Sequence, residues 1–266
     1  MRKISLGILS FILIILPSTL SETRASSTET FTFSTDGTLR RIDVPILMYH
    51  YVGDLPEDAD EYRVNLTIST ERFRAHLEYL QSTEYTPISL YDLHSALIIG
   101  TQLPPRPIIL TFDDGYANHF DNAFPILQDY GFTGTFFVIT DRADNTDPAH
   151  LNWTQIQQMA VAGMDIESHT KSHPDLRNRD FDFLVFQVLG SIESINAHID
   201  EETRMFSYPA GRYDQTTLTV LQTMPIARAV TTQLGRLHTT DNHLEMTRLR
   251  ISGNMSVAGL MQLLGD

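Results

Sequence analysis

The sequence lacks cysteine entirely and contains a single tryptophan among its 266 residues. Without cysteine there can be no disulfide, no thiolate metal ligand and no lipid anchor on a cysteine. Positive charge is also scarce: the chain has 19 Lys and Arg but 33 Asp and Glu, which gives a formal net charge of −14. This acidity argues against nucleic acid and anionic membrane surfaces as partners, and it suits a neutral or cationic glycan better than a polyanion.

Long apolar runs are absent after the first residues, so no later segment is predicted to cross a membrane. The one run, from Ile4 to Leu16, follows Arg2 and Lys3 and precedes small residues near Ala25. This pattern predicts a secretory signal peptide over residues 1–25. An uncleaved anchor is the alternative, although the run is shorter than the roughly 20 apolar residues that span a bilayer. We therefore expect a secreted or cell-envelope protein.

The rest of the chain divides into a leader and one domain. Residues 26–41 are rich in serine and threonine without a helical or strand period, which predicts a flexible leader. Residues 42–266 are enough for one large domain with a substantial core. We see no internal repeat and no second domain, and we expect a monomer.

The segment PRPIILTFDDGY, which ends at Tyr116, organises the domain. Ile108 to Leu110 form a short apolar run between prolines and Asp-Gly, as in a strand buried on both faces. Asp113 and Asp114 follow at its end, where Gly115 can turn the backbone. These residues alone leave an ordinary turn as probable as a functional carboxylate pair.

Two histidines further along the chain favour the functional carboxylate pair over an ordinary turn. His169 and His173 are four residues apart, and on one turn of a helix such side chains lie about 5–6 Å apart and can hold one metal ion. The pair is a weak signal by itself. Combined with a strand-end carboxylate it makes a set of two histidines and one carboxylate, with coordination positions left for water and substrate. Such ligands suit Zn²⁺, and Co²⁺ or Ni²⁺ could occupy the same site.

Short buried strands alternate with amphipathic helices along the domain. This order predicts an α/β fold with a parallel sheet whose functional groups lie at the carboxyl ends of the strands. The candidate residues at such ends are Asp113, Asp114, His169, His50 and Tyr208. Periodicity alone does not distinguish a closed barrel from an open sheet.

Four segments together resemble a known family. They are VPILMYH at Val44 to His50, TFDDG at Thr111 to Gly115, SHTKSHP at Ser168 to Pro174 and SYPAGRY at Ser207 to Tyr213. They resemble the polysaccharide deacetylases, carbohydrate esterase family 4 or the NodB homology domain, in the subgroup with MYH and YPxG motifs. The resemblance runs from about Val44 to Ile251. It implies a distorted (β/α) barrel of about seven parallel strands.

The resemblance also implies an activity. It is that of a metal-dependent hydrolase that removes N-acetyl groups from an N-acetylhexosamine polysaccharide and releases acetate. Poly-N-acetylglucosamine, peptidoglycan and chitin-like chains all stay open as substrates. In this interpretation Asp114, His169 and His173 hold the metal. Asp113, adjacent to Asp114 but free to stay outside the metal's coordination shell, serves as the general base.

The remaining site residues follow from the family pattern and from two departures from it. The pattern assigns the oxyanion contact to the backbone N–H of Tyr208. The usual histidine of an LxH motif is missing from Leu249-Arg250-Ile251, so we expect His50 to be the general acid and His238 and His243 to be surface residues. The arginine that normally orients the catalytic aspartate is missing before Tyr208. Arg248 is expected to replace it, with Arg250 as the alternative.

Two other functions stay open at this point. An O-acetyl esterase acting on xylan-type glycans would use the same metal and base. A catalytically inactive glycan-binding protein of the cell envelope would explain the missing LxH histidine, although the intact Asp-Asp and His-His pairs argue against it.

Overall fold

The computed structural model describes residues 35–266, so the predicted signal peptide and residues 26–34 of the predicted leader lie outside the described residues. The strands of the described part are β1 Arg41–Asp43, β2 Ile46–Tyr49, β3 Tyr51–Val52, β4 Thr67–Ile68, β5 Thr86–Pro87, β6 Pro107–Phe112, β7 Thr135–Val138, β8 Asp165–Ser168, β9 Met205–Ser207, β10 Arg228–Leu234, β11 Leu237–Thr239 and β12 Met246–Arg250. The α-helices are α1 Glu61–Leu66, α2 Thr70–Ser82, α3 Leu90–Ile99, α4 Phe124–Tyr130, α5 Thr140–Asp144, α6 Trp153–Val161, α7 Phe181–Asn196, α8 Gln215–Leu221 and α9 Val257–Leu264.

Seven parallel strands close into a barrel in the order β2, β12, β10, β9, β8, β7 and β6. The closing pair joins β2 to β6, with Ile46 opposite Ile109 and Tyr49 opposite Phe112. Strand β5 extends the sheet beyond β6. This arrangement confirms the predicted barrel. Closure could not be derived from periodicity, because both strands are continuous apolar runs that would suit an open sheet equally well.

Helix α3 lies at the amino-terminal end of the barrel strands. Its apolar residues Leu90, Leu93 and Leu97 share a core cluster with residues of six barrel strands. Tyr91 donates a hydrogen bond to the carbonyl of Glu202 just before β9, and His94 accepts one from Arg228 at the start of β10. The opposite, carboxyl-terminal end is therefore the one available for a functional site, as is usual in barrels of parallel strands.

The described part of the predicted leader contacts the domain. The backbone N–H of Asp36 donates to the carbonyl of Ile98 on α3 at 3.2 Å, and that of Arg40 donates to Thr240 Oγ1 at 2.9 Å. Strand β1 then begins at Arg41 and pairs antiparallel with β11. Residues 35–41 are thus held against the domain. Within residues 35–266, no helix is both long enough and apolar enough to span a bilayer.

Candidate active site

The three predicted metal ligands meet at the carboxyl-terminal end of the barrel. Nε2 of His169 and Nε2 of His173 each lie 3.3 Å from Oδ1 of Asp114. One ligand atom from each residue lies within 4.8 Å of the others. Asp114 follows β6 and the histidines follow β8, so two separate βα loops supply the set. One oxygen and two imidazole nitrogens in this cluster fit a divalent transition metal.

The histidine-bearing loop differs from the prediction in one respect. His169 to His173 do not form a helical turn, so the predicted helical spacing is wrong although the residues do converge. Asp114, Thr170 and His173 instead have φ of 76°, 68° and 58°. These left-handed conformations are uncommon for residues with a side chain and concentrate at functional sites. The loop is stabilised by the N–H of His173, which donates to Thr170 Oγ1 at 2.9 Å.

The tautomer of His169 is set by a hydrogen bond from its other ring nitrogen. Nδ1 of His169 lies 2.7 Å from the carbonyl oxygen of Ser207, so Nδ1 carries the proton and donates. In the neutral ring, Nε2 then presents its lone pair towards Asp114. This second contact is the usual support of a metal-binding histidine. The residues present therefore match what a bound metal requires.

Asp113 forms a buried ion pair with Arg248. Nη1 of Arg248 lies 2.7 Å from Oδ1 of Asp113, and Nη2 lies 2.6 Å from Oδ2. Burial raises the pKa of Asp113, but the charge and hydrogen bonds of Arg248 outweigh it and lower this pKa to about 2. Of the two arginines considered, the structure places Arg248 at Asp113, whereas Arg250 is exposed.

Ser207 links the ion pair to the metal ligands. It stands one position before Tyr208, in the motif from which the usual arginine is missing, and its Oγ lies 3.1 Å from Nη2 of Arg248 and 3.4 Å from Oδ2 of Asp113. Its carbonyl accepts the hydrogen bond of His169 described above. A small residue here leaves the space that the guanidinium of Arg248 occupies. Ser207 thus contacts both the Asp113–Arg248 ion pair and the metal-binding residue His169.

His50 is buried at the end of β2, with 7 % of its surface exposed. Burial lowers the pKa of His50, although the nearby Asp113 and Asp114 carboxylates act in the opposite direction. Its Nδ1 is buried and has no hydrogen-bond partner among residues 35–266. The imidazole is therefore neutral in the resting site, close to both carboxylates.

A π-helical turn at His119–Ala123, unforeseen from the sequence, holds the segment that carries His50. Nε2 of His119 donates to the carbonyl of His50 at 2.6 Å. Asn118 Oδ1 accepts from the N–H of Val52 at 3.2 Å, and Asn122 Nδ2 donates to the carbonyl of Val52 at 2.8 Å. We call His119, Asn118 and Asn122 the β2 clasp. The only sequence signal for it is the polar NHFDN run that follows the Asp-Asp-Gly turn.

Two predictions about single residues need correction. The backbone N–H of Tyr208 donates to the carbonyl of Val230 at 3.2 Å within the barrel, so it is not free to bind an oxyanion. His238 is fully buried rather than on the surface, and its Nε2 lies 3.0 Å from the carbonyl of Val44. Val44 precedes β2, so His238 lies at the end of the barrel opposite the site. His243 is partly buried, close to Arg228 at the start of β10.

A family model and several known proteins are similar to this chain in sequence. The family model described as polysaccharide deacetylase matches residues 100–229. The Bacillus subtilis (strain 168) protein named "Putative polysaccharide deacetylase YxkH" is 28 % identical over 213 residues, covering 80 % of this chain and 73 % of that protein. A poly-beta-1,6-N-acetyl-D-glucosamine N-deacetylase of Staphylococcus epidermidis is 29 % identical over 110 residues, which are 40 % of this chain and 38 % of that protein.

Among solved structures, the Streptococcus pyogenes deacetylase PplD in complex with acetate is similar with a TM-score of 0.79 and 29 % identity. The match covers 84 % of this chain and 99 % of that chain. The structural similarity therefore extends beyond residues 100–229, the segment matched by the family model.

Proposed function

The chain belongs to the polysaccharide deacetylase family, and from this premise we propose that it removes N-acetyl groups from an N-acetylhexosamine polymer. The reaction would add water across the acetamide C–N bond, releasing acetate and leaving a free amine on the sugar. The enzyme would be metal-dependent, with Asp114, His169 and His173 as the ligands and Zn²⁺ as the preferred ion.

The observation that carries this proposal is the position of the Asp113–Arg248 pair beside the metal-binding face. Arg248 contacts both oxygens of Asp113, which fixes the orientation of the carboxylate. A pKa near 2 keeps Asp113 ionised at neutral pH, so it is available as a proton acceptor. The desolvation of a buried ion pair is costly, and orienting a catalytic carboxylate is a role that accounts for this cost.

The proton transfers can be assigned to this chain's own residues. A bound divalent ion would polarise the acetyl carbonyl and lower the pKa of a water molecule in the site. Asp113 would accept the proton of the attacking water. His50 would donate a proton to the leaving nitrogen as the C–N bond breaks. Because burial lowers the pKa of His50 and keeps the ring neutral at rest, the proton that Asp113 takes from the attacking water would pass to His50 before the C–N bond breaks.

The net charge of the chain and the names of its relatives narrow the choice of substrate. The acidic chain, with a net charge of −14, favours a neutral polymer or its amine-bearing product over a polyanion. Several relatives are named for poly-beta-1,6-N-acetyl-D-glucosamine. We propose this polymer first and retain peptidoglycan and chitin-like chains as further candidates. A polymer of this kind requires export, in agreement with the signal peptide predicted for residues 1–25.

Acetate release from defined oligomers tests the proposal. Purified protein is incubated with β-1,6- and β-1,4-linked N-acetylglucosamine oligomers, with and without a chelator, and then with Zn²⁺ restored. We expect release that stops with the chelator and returns with the metal. Glycan binding without acetate release under any metal condition would instead identify an inactive binding protein.

The second candidate function is an O-acetyl esterase, and the missing LxH histidine favours it. An alcohol leaves more readily than an amine, so ester cleavage depends less on a general acid. Acetylated xylan assayed beside the N-acetylated oligomers separates the two functions. Acetate release from acetylated xylan, with none from any N-acetylated oligomer under the same metal conditions, would assign the esterase.

A further inference from the structure

The loop that carries His169 and His173 is held in an uncommon backbone conformation. We call residues 169–173 the histidine loop. Two of its residues, Thr170 and His173, have positive φ, at 68° and 58°. Left-handed residues with side chains persist only where the surrounding structure fixes them. The contacts that fix the histidine loop therefore help to present both imidazoles to Asp114.

The backbone of the histidine loop is bound from two sides, by α5 and by α7. The N–H of Thr140, at the start of α5, donates to the carbonyl of Thr170 at 3.3 Å. The N–H of Asp141 donates to the carbonyl of Lys171 at 2.9 Å. On the other side, the N–H of Lys171 donates to the carbonyl of Gln187 on α7 at 3.0 Å. Lys171, the central residue of the loop, thus contacts both helices through its main chain.

The side chain of Lys171 also contacts both helices. Its Nζ lies 3.2 Å from Oδ1 of Asp141 and 3.5 Å from Oδ2 of Asp144, both on α5. The same Nζ lies 3.4 Å from Oγ of Ser194 on α7. Its aliphatic part passes α7 at Gly190, where an added Cβ would lie 3.3 Å from Cδ of Lys171. Only 14 % of the lysine side chain is exposed, so solvent screens its charge less than that of a surface cation.

Two further contacts hold these partners in place. The other carboxylate oxygen of Asp144, Oδ1, accepts from Nε1–H of Trp153 at 2.9 Å, so this carboxylate is itself oriented. Next to Lys171, the N–H of Ser172 donates to Oε1 of Gln187 at 3.1 Å, and Nε2 of Gln187 donates back to Oγ of Ser172 at 2.9 Å. The histidine loop is therefore anchored to α7 by a neutral pair and to α5 by the ammonium of Lys171.

We propose that Lys171 is a positioning residue of the metal centre, whose ammonium ties the histidine loop to α5 and α7 and thereby sets the affinity for the metal. The inference rests on the proposed function, since it takes Asp114, His169 and His173 as the ligands. Lys171 is two residues from each histidine, so a shift of Lys171 displaces both imidazoles. Loss of a contact that orients metal ligands commonly lowers metal affinity by about 10–100-fold.

The test measures metal affinity in the absence of substrate. Metal-free protein competes with a chromophoric chelator for Zn²⁺, at a temperature where urea unfolding, followed by emission of the single tryptophan, shows every variant to be folded. Lys171→Met keeps a long unbranched side chain without charge, and we expect it to bind Zn²⁺ about tenfold more weakly than wild type. Lys171→Arg can still pair with the acids of α5 and should recover most of this loss. Equal affinities of wild type and Lys171→Met would overturn the inference.

Arg142→Met is the matched control, because it removes one cation from α5 itself. Nη1 of Arg142 pairs with Asp147 at 3.2 Å rather than with the histidine loop, and its side chain is 50 % exposed. We expect this variant to bind Zn²⁺ within about twofold of wild type. A loss equal to that of Lys171→Met would show that net charge, not the position of the lysine, determines the affinity, and would contradict the proposal.

A double-mutant cycle separates a specific contact from general damage to the fold. The background variant carries Asp141→Asn and Asp144→Asn, which remove both carboxylates while leaving an amide oxygen to accept from Trp153. Adding Lys171→Met there should lower Zn²⁺ affinity by less than about twofold, against about tenfold in the wild-type background. The same tenfold loss in both backgrounds would overturn the ion-pair mechanism.

Co²⁺ provides a spectroscopic readout on the same proteins, because its visible absorption depends on the geometry of its ligands. The absorption bands of bound Co²⁺ should change in Lys171→Met and return towards wild type in Lys171→Arg. Identical bands in wild type and Lys171→Met would show that the ligand geometry does not depend on the lysine, and would count against the proposal.

Acetate release separates this inference from the proposed function. Metal-dependent release by wild type, together with unchanged Zn²⁺ affinity in Lys171→Met, would disprove the positioning role alone. Weakened Zn²⁺ binding in Lys171→Met and its recovery in Lys171→Arg, with no acetate released from any glycan, would disprove the deacetylase function and leave the positioning role standing. A wild-type protein that binds none of Zn²⁺, Co²⁺ and Ni²⁺ would overturn both.

Discussion

Arg248 on β12 contacts both carboxylate oxygens of Asp113, which follows β6, with Nη1–Oδ1 and Nη2–Oδ2 distances of 2.7 and 2.6 Å. The side chains of Arg248 and Asp113 are 0 % and 4 % exposed. A two-point contact of this kind needs the planar guanidinium fork, which lysine lacks. The pair thus fixes both the ionisation and the direction of the proposed base.

The first prediction removes this arginine. Arg248→Gln should lower kcat by about 100-fold, because the carboxylate of Asp113 loses its fixed orientation. It should also lower the free energy of unfolding by about 3–5 kcal/mol, since a buried charge loses its partner. Steady-state kinetics and urea unfolding measure the two effects. Arg250→Gln, two residues away and exposed, is the control and should leave kcat within about twofold of wild type.

The second prediction separates the base from the metal ligands. Asp113→Asn should retain the bound metal and lower kcat by about 10²–10⁴-fold, as expected when a general base is removed. His173→Ala should lose both metal and turnover, because it removes one of three ligands. Metal content by elemental analysis and acetate release are measured on the same preparations. Loss of metal from Asp113→Asn would place Asp113 among the ligands instead.

The strands and helices of the fold could be predicted from local sequence patterns, whereas the closure of the barrel could not. Short buried runs such as Ile108 to Leu110, alternating with helices, predicted the parallel strands correctly. Barrel closure depends on the pairing of β2 with β6, segments about 60 residues apart. Such a pairing leaves no periodic signal in the sequence, so closure followed only from the family resemblance.

For the candidate site, the sequence likewise predicted the residues that converge but not their local backbone geometry. Residue type and order predicted that Asp114, His169 and His173 converge, and the absent motif arginine pointed to Arg248. The helical geometry for the histidines was wrong, because a spacing of four residues is equally compatible with a loop that contains left-handed residues. The β2 clasp was missed because it depends on a π-helical turn, and propensities do not distinguish such turns from ordinary helix.

The third prediction concerns Asp165, a partly buried carboxylate away from the metal ligands. Burial raises the pKa of Asp165 from its ordinary value to about 6. A folded-state pKa above the unfolded one means that Asp165 contributes stability below pH 3.8 and that this contribution is lost as the pH rises through 6. Asp165→Asn should therefore be more stable than wild type by about 3 kcal/mol at pH 8.

Urea unfolding of wild type and Asp165→Asn across the pH range tests this expectation. The gap between the two proteins should open between pH 4 and pH 7 and stay constant above that. A gap that is equal at pH 4 and pH 8 would show that Asp165 titrates normally. Thr135→Val provides a second check, because its hydroxyl donates to Asp165 Oδ2 at 3.2 Å and its loss should raise the pKa of Asp165 further.

The fourth prediction compares two buried histidines that hold the two ends of the same strand segment. His119 donates to the carbonyl of His50 at 2.6 Å, and His238 lies 3.0 Å from the carbonyl of Val44. Replacing either by phenylalanine should cost about 1–3 kcal/mol of stability, because a buried carbonyl loses its donor. Only His119→Phe should also lower kcat, by about tenfold or more, because it releases the backbone that positions His50.

The loss in the His119→Phe variant should fall on kcat rather than on KM. The His119→Gln variant, whose side-chain amide can still donate a hydrogen bond, should recover part of the lost kcat. Equal kcat values for His119→Phe and His238→Phe would show that the β2 clasp supports the fold without positioning His50.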